Sequence, residues 1–178
     1  LGILHRPQAQ ILFLDTPGIH PGKKLLNEKI VQTAFEVIEE ADIVLHLLFP
    51  KKISAEDQEI AARAHQTKKN YFVLINRVDE IAKEVLLPNI AKVQETLKPQ
   101  EIVPISALKG EGIDLLIRLI EKKLPEGPAY YEADFYTDQN TRFLCEEIVR
   151  EKAMLWLHQE IPYALATQVE KFEESAKL

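Results

Sequence analysis

Thiols, long apolar runs and metal-spaced ligands are all scarce in this 178-residue chain. It has one cysteine (Cys145), one methionine (Met154), one tryptophan (Trp156) and six glycines. A lone thiol excludes an internal disulfide framework and points to a reducing compartment. No stretch approaches ~18 uninterrupted apolar residues, so no segment reads as a membrane-spanning helix. The histidines, His5, His20, His46, His65 and His158, show no metal-ligand spacing. There is no internal repeat and no low-complexity tract. What is present is 46% apolar and 28% charged residues, with a net charge of −6. That composition supplies a real core and fits a soluble intracellular protein. It argues against a broad nucleic-acid surface while leaving room for a local basic patch.

Polar clusters follow three apolar runs. Ile11-Leu12-Phe13-Leu14 runs directly into Asp15-Thr16-Pro17-Gly18. A short apolar run bounded by a Pro-Gly turn reads as a buried parallel strand, and open α/β sheets bind ligands at the carboxyl ends of such strands. A carboxylate there can hold a hydrated Mg²⁺, and a glycine lets its N–H approach a phosphate without a Cβ in the way. Tyr71-Phe72-Val73-Leu74-Ile75 ends in Asn76-Arg77-Val78-Asp79, and Ile102-Val103-Pro104-Ile105 ends in Ser106-Ala107. Asp79 can accept two hydrogen bonds from a base that carries a ring N–H and an exocyclic NH₂, which describes guanine and excludes adenine. Asn76 can tie its loop to its neighbours, and the N–H groups of Ser106 and Ala107 can donate to a base carbonyl. Each cluster alone is a common turn. Their joint order is specific.

On these residues the chain resembles the translation-factor-like small GTPases and, among them, the Era family. The resemblance runs nearly end to end. It implies GTP/GDP and Mg²⁺ as ligands, with Asp15 as the metal-side carboxylate acting through water and Gly18 as the γ-phosphate sensor, within the box Asp15, Thr16, Pro17, Gly18. Asn76, Arg77 and Asp79 become the base-reading box, and Ser106 and Ala107 its support. The implied fold is α/β, a doubly wound P-loop GTPase-type sheet without its N-terminal part, followed by the start of an α+β KH domain.

The element pattern agrees with strands alternating with helices. Residues 1–5 and 10–15 read as a hairpin around Arg6-Pro7-Gln8. Helices are expected over about Leu25–Glu40, from an N-cap at Ser54 with Asp57 three positions on to about Thr67, over Glu84–Leu97 and over Gly112–Lys123, with a strand at Ile43–Phe49. At Leu124-Pro125-Glu126-Gly127-Pro128 the alternation stops. The expected organisation is a GTP-binding domain over 1–124, a linker over 125–136 and the beginning of an RNA-binding KH-type domain over 137–178. Leu144, Ile148 and Leu155 form a helical stripe beside Cys145, Val149 and Trp156. Asp138 or Thr137 is the expected cap, Pro162 the stop, and residues from Tyr163 to about Phe172 read as extended. The order of residues from Thr137-Asp138 through Ile161-Pro162-Tyr163 resembles the opening of the KH domain of the Era family, which most D-T-P-G relatives lack.

Absences shape the mechanism too. No G-x-x-x-x-G-K-[ST] loop occurs, nor the family's switch threonine, and no glycine follows Gly127, so no G-x-x-G clamp is present. The expectation is therefore a fragment of a longer protein, inactive by itself. Arg77 stands where the family usually has lysine; its stem can lie along a base and its guanidinium can stack. Ile19 occupies the position of the water-orienting glutamine of Ras-like enzymes, has no hydrogen-bonding group and cannot do that work. No catalytic residue is assignable. Era-like proteins share this apolar residue, which implies slow hydrolysis unless backbone, ion or partner places the water.

Several residues take an ordinary reading. His46 is expected to be a satisfied core histidine, and His20, Lys23 and Lys24 solvated. Glu36, Glu39 and Glu40 form an acidic helix face. Trp156 and Tyr163 are expected to pack, not to stack on bases. The resemblance further implies binding to 16S rRNA in small (30S) ribosomal subunit assembly, a cytoplasmic location, a monomer and peripheral membrane association, the last without any local signal. Competing readings are a paralogous D-T-P-G GTPase of tRNA modification or 50S assembly, a degenerate GTPase-fold scaffold, and an unrelated doubly wound domain.

Overall fold

The computed structural model describes residues 1–16, 32, 34–49, 53–156 and 165–171. Expectations for Pro17, Gly18, Ile19, His20, Lys23, Lys24, His158, Pro162 and Tyr163 lie outside them, as does most of the helix expected from Leu25; residues 34–40 of it are helical (α1).

Three strands form a parallel sheet in the order β3 (Ile43–Leu48), β4 (Asn70–Ile75), β5 (Glu101–Pro104). The register sets Leu48 beside Ile75 and Ile75 beside Pro104, so all three strands end at one edge. β4 is the middle strand, and Tyr71 to Ile75 are at most 2% exposed. Side chains alternate across a strand, and β4 shows it. Tyr71, Val73 and Ile75 join Val44, Leu48, Ala61, Ala64, Val93 and Leu97 on one face. Phe72 and Leu74 join Val103, Ile105, Leu116, Ile117 and Ile120 on the other. The first face is covered by α2 (Ala55–Gln66) and α3 (Lys83–Leu97), the second by α4 (Ile113–Glu121). Helices on both faces of a parallel sheet make the doubly wound class expected from the sequence.

Ser54 caps α2 as expected. Its hydroxyl accepts the Asp57 N–H at 3.1 Å, the Asp57 carboxylate accepts the Ser54 N–H at 2.7 Å, and Thr67 closes the helix.

The first apolar run departs from expectation. β1 (Gly2–Arg6) and β2 (Ala9–Phe13) form a separate two-stranded antiparallel sheet, with Gly2 opposite Phe13 and Arg6 opposite Ala9. The hairpin at Pro7-Gln8 is confirmed. The reading of Ile11–Leu14 as a buried parallel strand is corrected, because the tight turn pairs β2 with its own neighbour. Ile11 alone in that run is buried, in the α4-side cluster, and Leu14 is 49% exposed.

The segment after α4 is strapped to the hairpin. The Ile3 N–H donates to the Tyr136 carbonyl at 2.9 Å, and Gly2 bridges Thr137 antiparallel. The Gln10 side-chain oxygen accepts the N–H groups of Tyr130 and Tyr131 at 2.8 and 3.0 Å, while its amide donates to the Tyr131 carbonyl at 2.8 Å. His5 Nε2 donates to the Phe135 carbonyl at 2.6 Å. Residues 130–137 are thus held to the hairpin, at one end by the Gln10 side chain of β2 and at the other by β1.

α5 (Thr141–Trp156) follows. Its cap is neither Thr137 nor Asp138 but Asn140, whose side-chain oxygen accepts the Phe143 N–H at 2.8 Å. Thr137 is engaged elsewhere, donating to the Leu1 carbonyl at 2.8 Å. Residues 165–171 return along α5: Thr167 Oγ1 donates to the Glu146 carbonyl and the Val169 N–H to the Glu146 carboxylate, at 2.9 and 2.8 Å. Among the described residues the stripe on α5 is uncovered, and Trp156, expected to pack, is 82% exposed. No described helix is long and apolar enough to cross a membrane.

Candidate nucleotide-binding site

Backbone bonds carry the sheet past its last residues and fix the loops there. The Asn76 N–H donates to the Leu48 carbonyl at 2.8 Å, Ile105 to Ile75 at 2.8 Å, and Val78 to Ile105 at 3.2 Å. The loops after β4 and β5 are therefore extensions of the buried sheet.

Asn76 joins them, as its residue type suggested. Its side-chain oxygen accepts the Arg77 N–H at 2.8 Å and the Ala107 N–H at 3.0 Å. Both partners are backbone donors, so the atom they meet must be the oxygen, which settles the amide's orientation. The expectation that the Ser106 and Ala107 N–H groups are available to a base carbonyl is not met here. Ala107 N–H is given to Asn76, and Ser106 N–H donates to the Glu111 carbonyl at 3.0 Å.

Arg77 adopts φ 63°, ψ 38°, the left-handed region that L residues enter at a cost. This turns the chain into a short 3₁₀ helix, Val78–Glu80, that presents Asp79. The Arg77 guanidinium lies 5.3 Å from the Phe49 ring centroid, in cation–π range, and 3.6 Å from the Glu80 carboxylate. Its flat group does stack, but on the ring that follows β3.

Asp79 is the electrostatic centre. Its side chain is 10% exposed and meets Lys109 Nζ at 3.3 Å. Hydrogen bonding from the Ser106 hydroxyl holds its carboxyl below the usual range; partial desolvation opposes this, and Lys109 adds to it. Ser106 is 1% exposed, and its oxygen accepts the Lys109 N–H at 3.2 Å. The result is a carboxylate favoured in its ionised form, beside a buried hydroxyl and an exposed ammonium.

The structure thus brings together Asn76, Arg77, Asp79, Ser106 and Ala107. Asp15 and Thr16 stand apart at the end of β2. No hydrogen bond or ion pair among the described residues joins them to the cluster, and Asp15 is exposed. An exposed carboxylate at a strand end suits a Mg²⁺ that keeps its waters and takes its other ligands from phosphates. The described residues hold no group of three or more side chains able to cage a metal. Sequence reasoning missed Lys109 and Phe49. The spacing Lys109-Gly110-x-Gly112 was a signal for a tight turn behind Ala107, but nothing in it showed the lysine turning back to Asp79.

In sequence and in fold the chain is similar to known GTPases. A family model described as "50S ribosome-binding GTPase" matches residues 1–77. The GTPase Era of Clostridium botulinum is 40% identical over 176 residues, covering 98% of this chain and 60% of that protein. The solved structure of Era in complex with MgGDPNP and a 16S ribosomal RNA segment superposes with a TM-score of 0.79 at 40% identity, over 91% of this chain and 56% of that one. An Aquifex aeolicus Era variant bound to GDP·AlF₄⁻ gives 0.78 at 39% identity, over 90% and 56%. The chain spans about 60% of the length of the curated relative it matches. Over the length that it shares with them, this chain is similar to Era GTPases in sequence and in fold.

Proposed function

We propose that the protein carrying this chain is a GTP-binding and GTP-hydrolysing switch that docks on 16S rRNA during small-subunit assembly. The observation that carries this reading is the cluster at the end of β4 and β5. Asp79 is ionised and backed by Ser106, and Asn76 holds the two loops at a fixed spacing. Support comes from Era, solved with MgGDPNP and 16S rRNA and also with GDP·AlF₄⁻, at about 40% identity to this chain. The match continues through the tail beyond residue 137, which favours Era over paralogues that share only the nucleotide domain.

In this reading Asp79 accepts the two N–H groups on one edge of guanine, and Arg77 borders the base. Ser106 and Ala107 form the wall behind its carbonyl. Asp15, Thr16, Pro17 and Gly18 are the box assigned to the γ-phosphate, in which Asp15 would hold Mg²⁺ through water. The chemistry that Mg²⁺ would supply when bound is charge neutralisation at the phosphate oxygens. Ile19 contributes no hydrogen bond to water, so turnover is slow until something else places it. Residues 1–124 are the nucleotide domain, 125–136 the connection, and 137–178 open a KH-type RNA-binding domain. The protein acts in the cytoplasm as a monomer and visits the membrane surface peripherally.

Asp79→Asn in the full-length protein tests the core of this. Replacing an acceptor-only carboxylate with an amide should weaken GTP binding about a hundredfold and favour xanthosine triphosphate, whose ring presents a carbonyl where guanine has NH₂. Titration with both nucleotides measures it. Unchanged GTP affinity would remove this loop from base recognition.

A further inference from the structure

Lys109 is held where it is by its turn. The Ser106 N–H to Glu111 carbonyl bond closes the loop between β5 and α4. The Lys109 N–H is pinned to Ser106 Oγ at 3.2 Å, and Gly110 and Gly112 supply the positive φ values, 75° and 76°, that a turn this tight requires. The outcome is an ammonium 3.3 Å from Asp79 Oδ2. The two partners of Asp79 differ in freedom. Ser106 is buried, whereas the Lys109 side chain is 55% exposed on a flexible stem.

A carboxylate offers roughly four lone-pair sites on two oxygens. A base edge that presents two parallel N–H groups needs one on each oxygen. The buried hydroxyl cannot leave without repacking, but the exposed ammonium can. We propose that Lys109 is a displaceable counter-ion of Asp79: it neutralises the carboxylate in the empty site and swings into solvent when a base arrives. This rests on the reading of Asp79 as the base-reading residue. Lys109 then competes with the nucleotide. It reads no base, yet it sets affinity and the dependence of affinity on salt.

The test uses the full-length protein and GDP, titrated calorimetrically at low and high salt. The Lys109→Met variant should bind GDP about two- to fivefold more tightly at low ionic strength, the span of an exposed ion pair. That gain should vanish near ~0.5 M salt, where the pair is screened in the wild type as well. Lys109→Arg, which keeps the charge, should stay near wild type. In an Asp79→Asn background, Lys109→Met should add nothing. Weaker or unchanged GDP binding by Lys109→Met at low salt, with Asp79→Asn strongly impaired, overturns the counter-ion role and leaves base reading by Asp79 intact. Full GDP affinity in Asp79→Asn itself overturns both.

Discussion

Asp57 serves His46 and the start of α2 with one carboxylate: Oδ1 lies 3.2 Å from His46 Nε2, while Oδ2 accepts the Ser54 N–H at 2.7 Å. A carboxylate only accepts, so Nε2 carries the imidazole proton. Nδ1 is then the acceptor for the Tyr71 hydroxyl, 2.8 Å away. His46, 7% exposed in the middle of β3, is thereby satisfied at both nitrogens. Asp57→Ala should remove the carboxylate half of the capping box, worth about 1 kcal/mol, and orphan the buried His46 N–H, worth roughly 1–3 kcal/mol. Urea unfolding should show the sum, and Ser54→Ala, which removes the hydroxyl half of the box and leaves His46 paired, about 1 kcal/mol.

The same group sets a pH dependence. Burial lowers the His46 pKa from its ordinary 6.5, against the opposing pull of Asp57. The folded state then resists a proton that the unfolded chain accepts. Stability is full above about pH 6.5 and falls as pH drops from there through the lowered folded value. His46→Leu should flatten that part of the profile, seen as urea midpoints measured from pH 8 to pH 5. An unchanged slope in the variant would assign the loss to other groups.

Gly112 and Gly110 share a positive φ but not their surroundings. A Cβ at Gly112 would stand 2.4 Å from the Pro104 carbonyl oxygen, whereas one at Gly110 meets nothing within 4 Å. Gly110→Ala should cost only the backbone penalty, about 1 kcal/mol. Gly112→Ala should cost roughly 2–4 kcal/mol, because β5 or α4 must also shift. Chemical denaturation of the pair separates conformational strain from collision.

Gln10 is the clasp of the strap over residues 130–137. Its removal in Gln10→Ala frees two N–H groups and one carbonyl at Tyr130 and Tyr131. Hydrogen exchange at those two amides should accelerate about tenfold or more, at roughly 1 kcal/mol for each bond lost. The Ile3 amide, held by Tyr136, should change less.

The parallel sheet and its site edge were legible because each strand is a short apolar run closed by polar residues, and Ser54 with Asp57 marked a helix start by chemistry alone. Asn76 was legible as a tie, since its side chain had few other uses in a loop. Gln10 was not, because its partners lie 120 and 121 positions away and no local pattern encodes them. The cap of α5 was misplaced by two or three residues: Thr137, Asp138 and Asn140 all have capping chemistry, and the strap decided by claiming Thr137. The pairing of β2 depended on which strand lay beside it, which an apolar run does not specify. Lys109 shows the same limit, since its partner Asp79 comes from another loop.

β4 has one more consequence. Its residues are sealed between two helical layers, and neither face can open without disrupting the core that it shares with its neighbours. The loop bearing Asn76 and Asp79 grows directly from that strand and is stitched to β5 by Asn76 and Val78. Such a loop has little motion left to lose when a ligand settles on it, so binding there proceeds with a small loss of conformational entropy. Asp15 and Thr16, at the end of a two-stranded hairpin, have no such foundation. One half of the candidate site is thus ordered by folding itself.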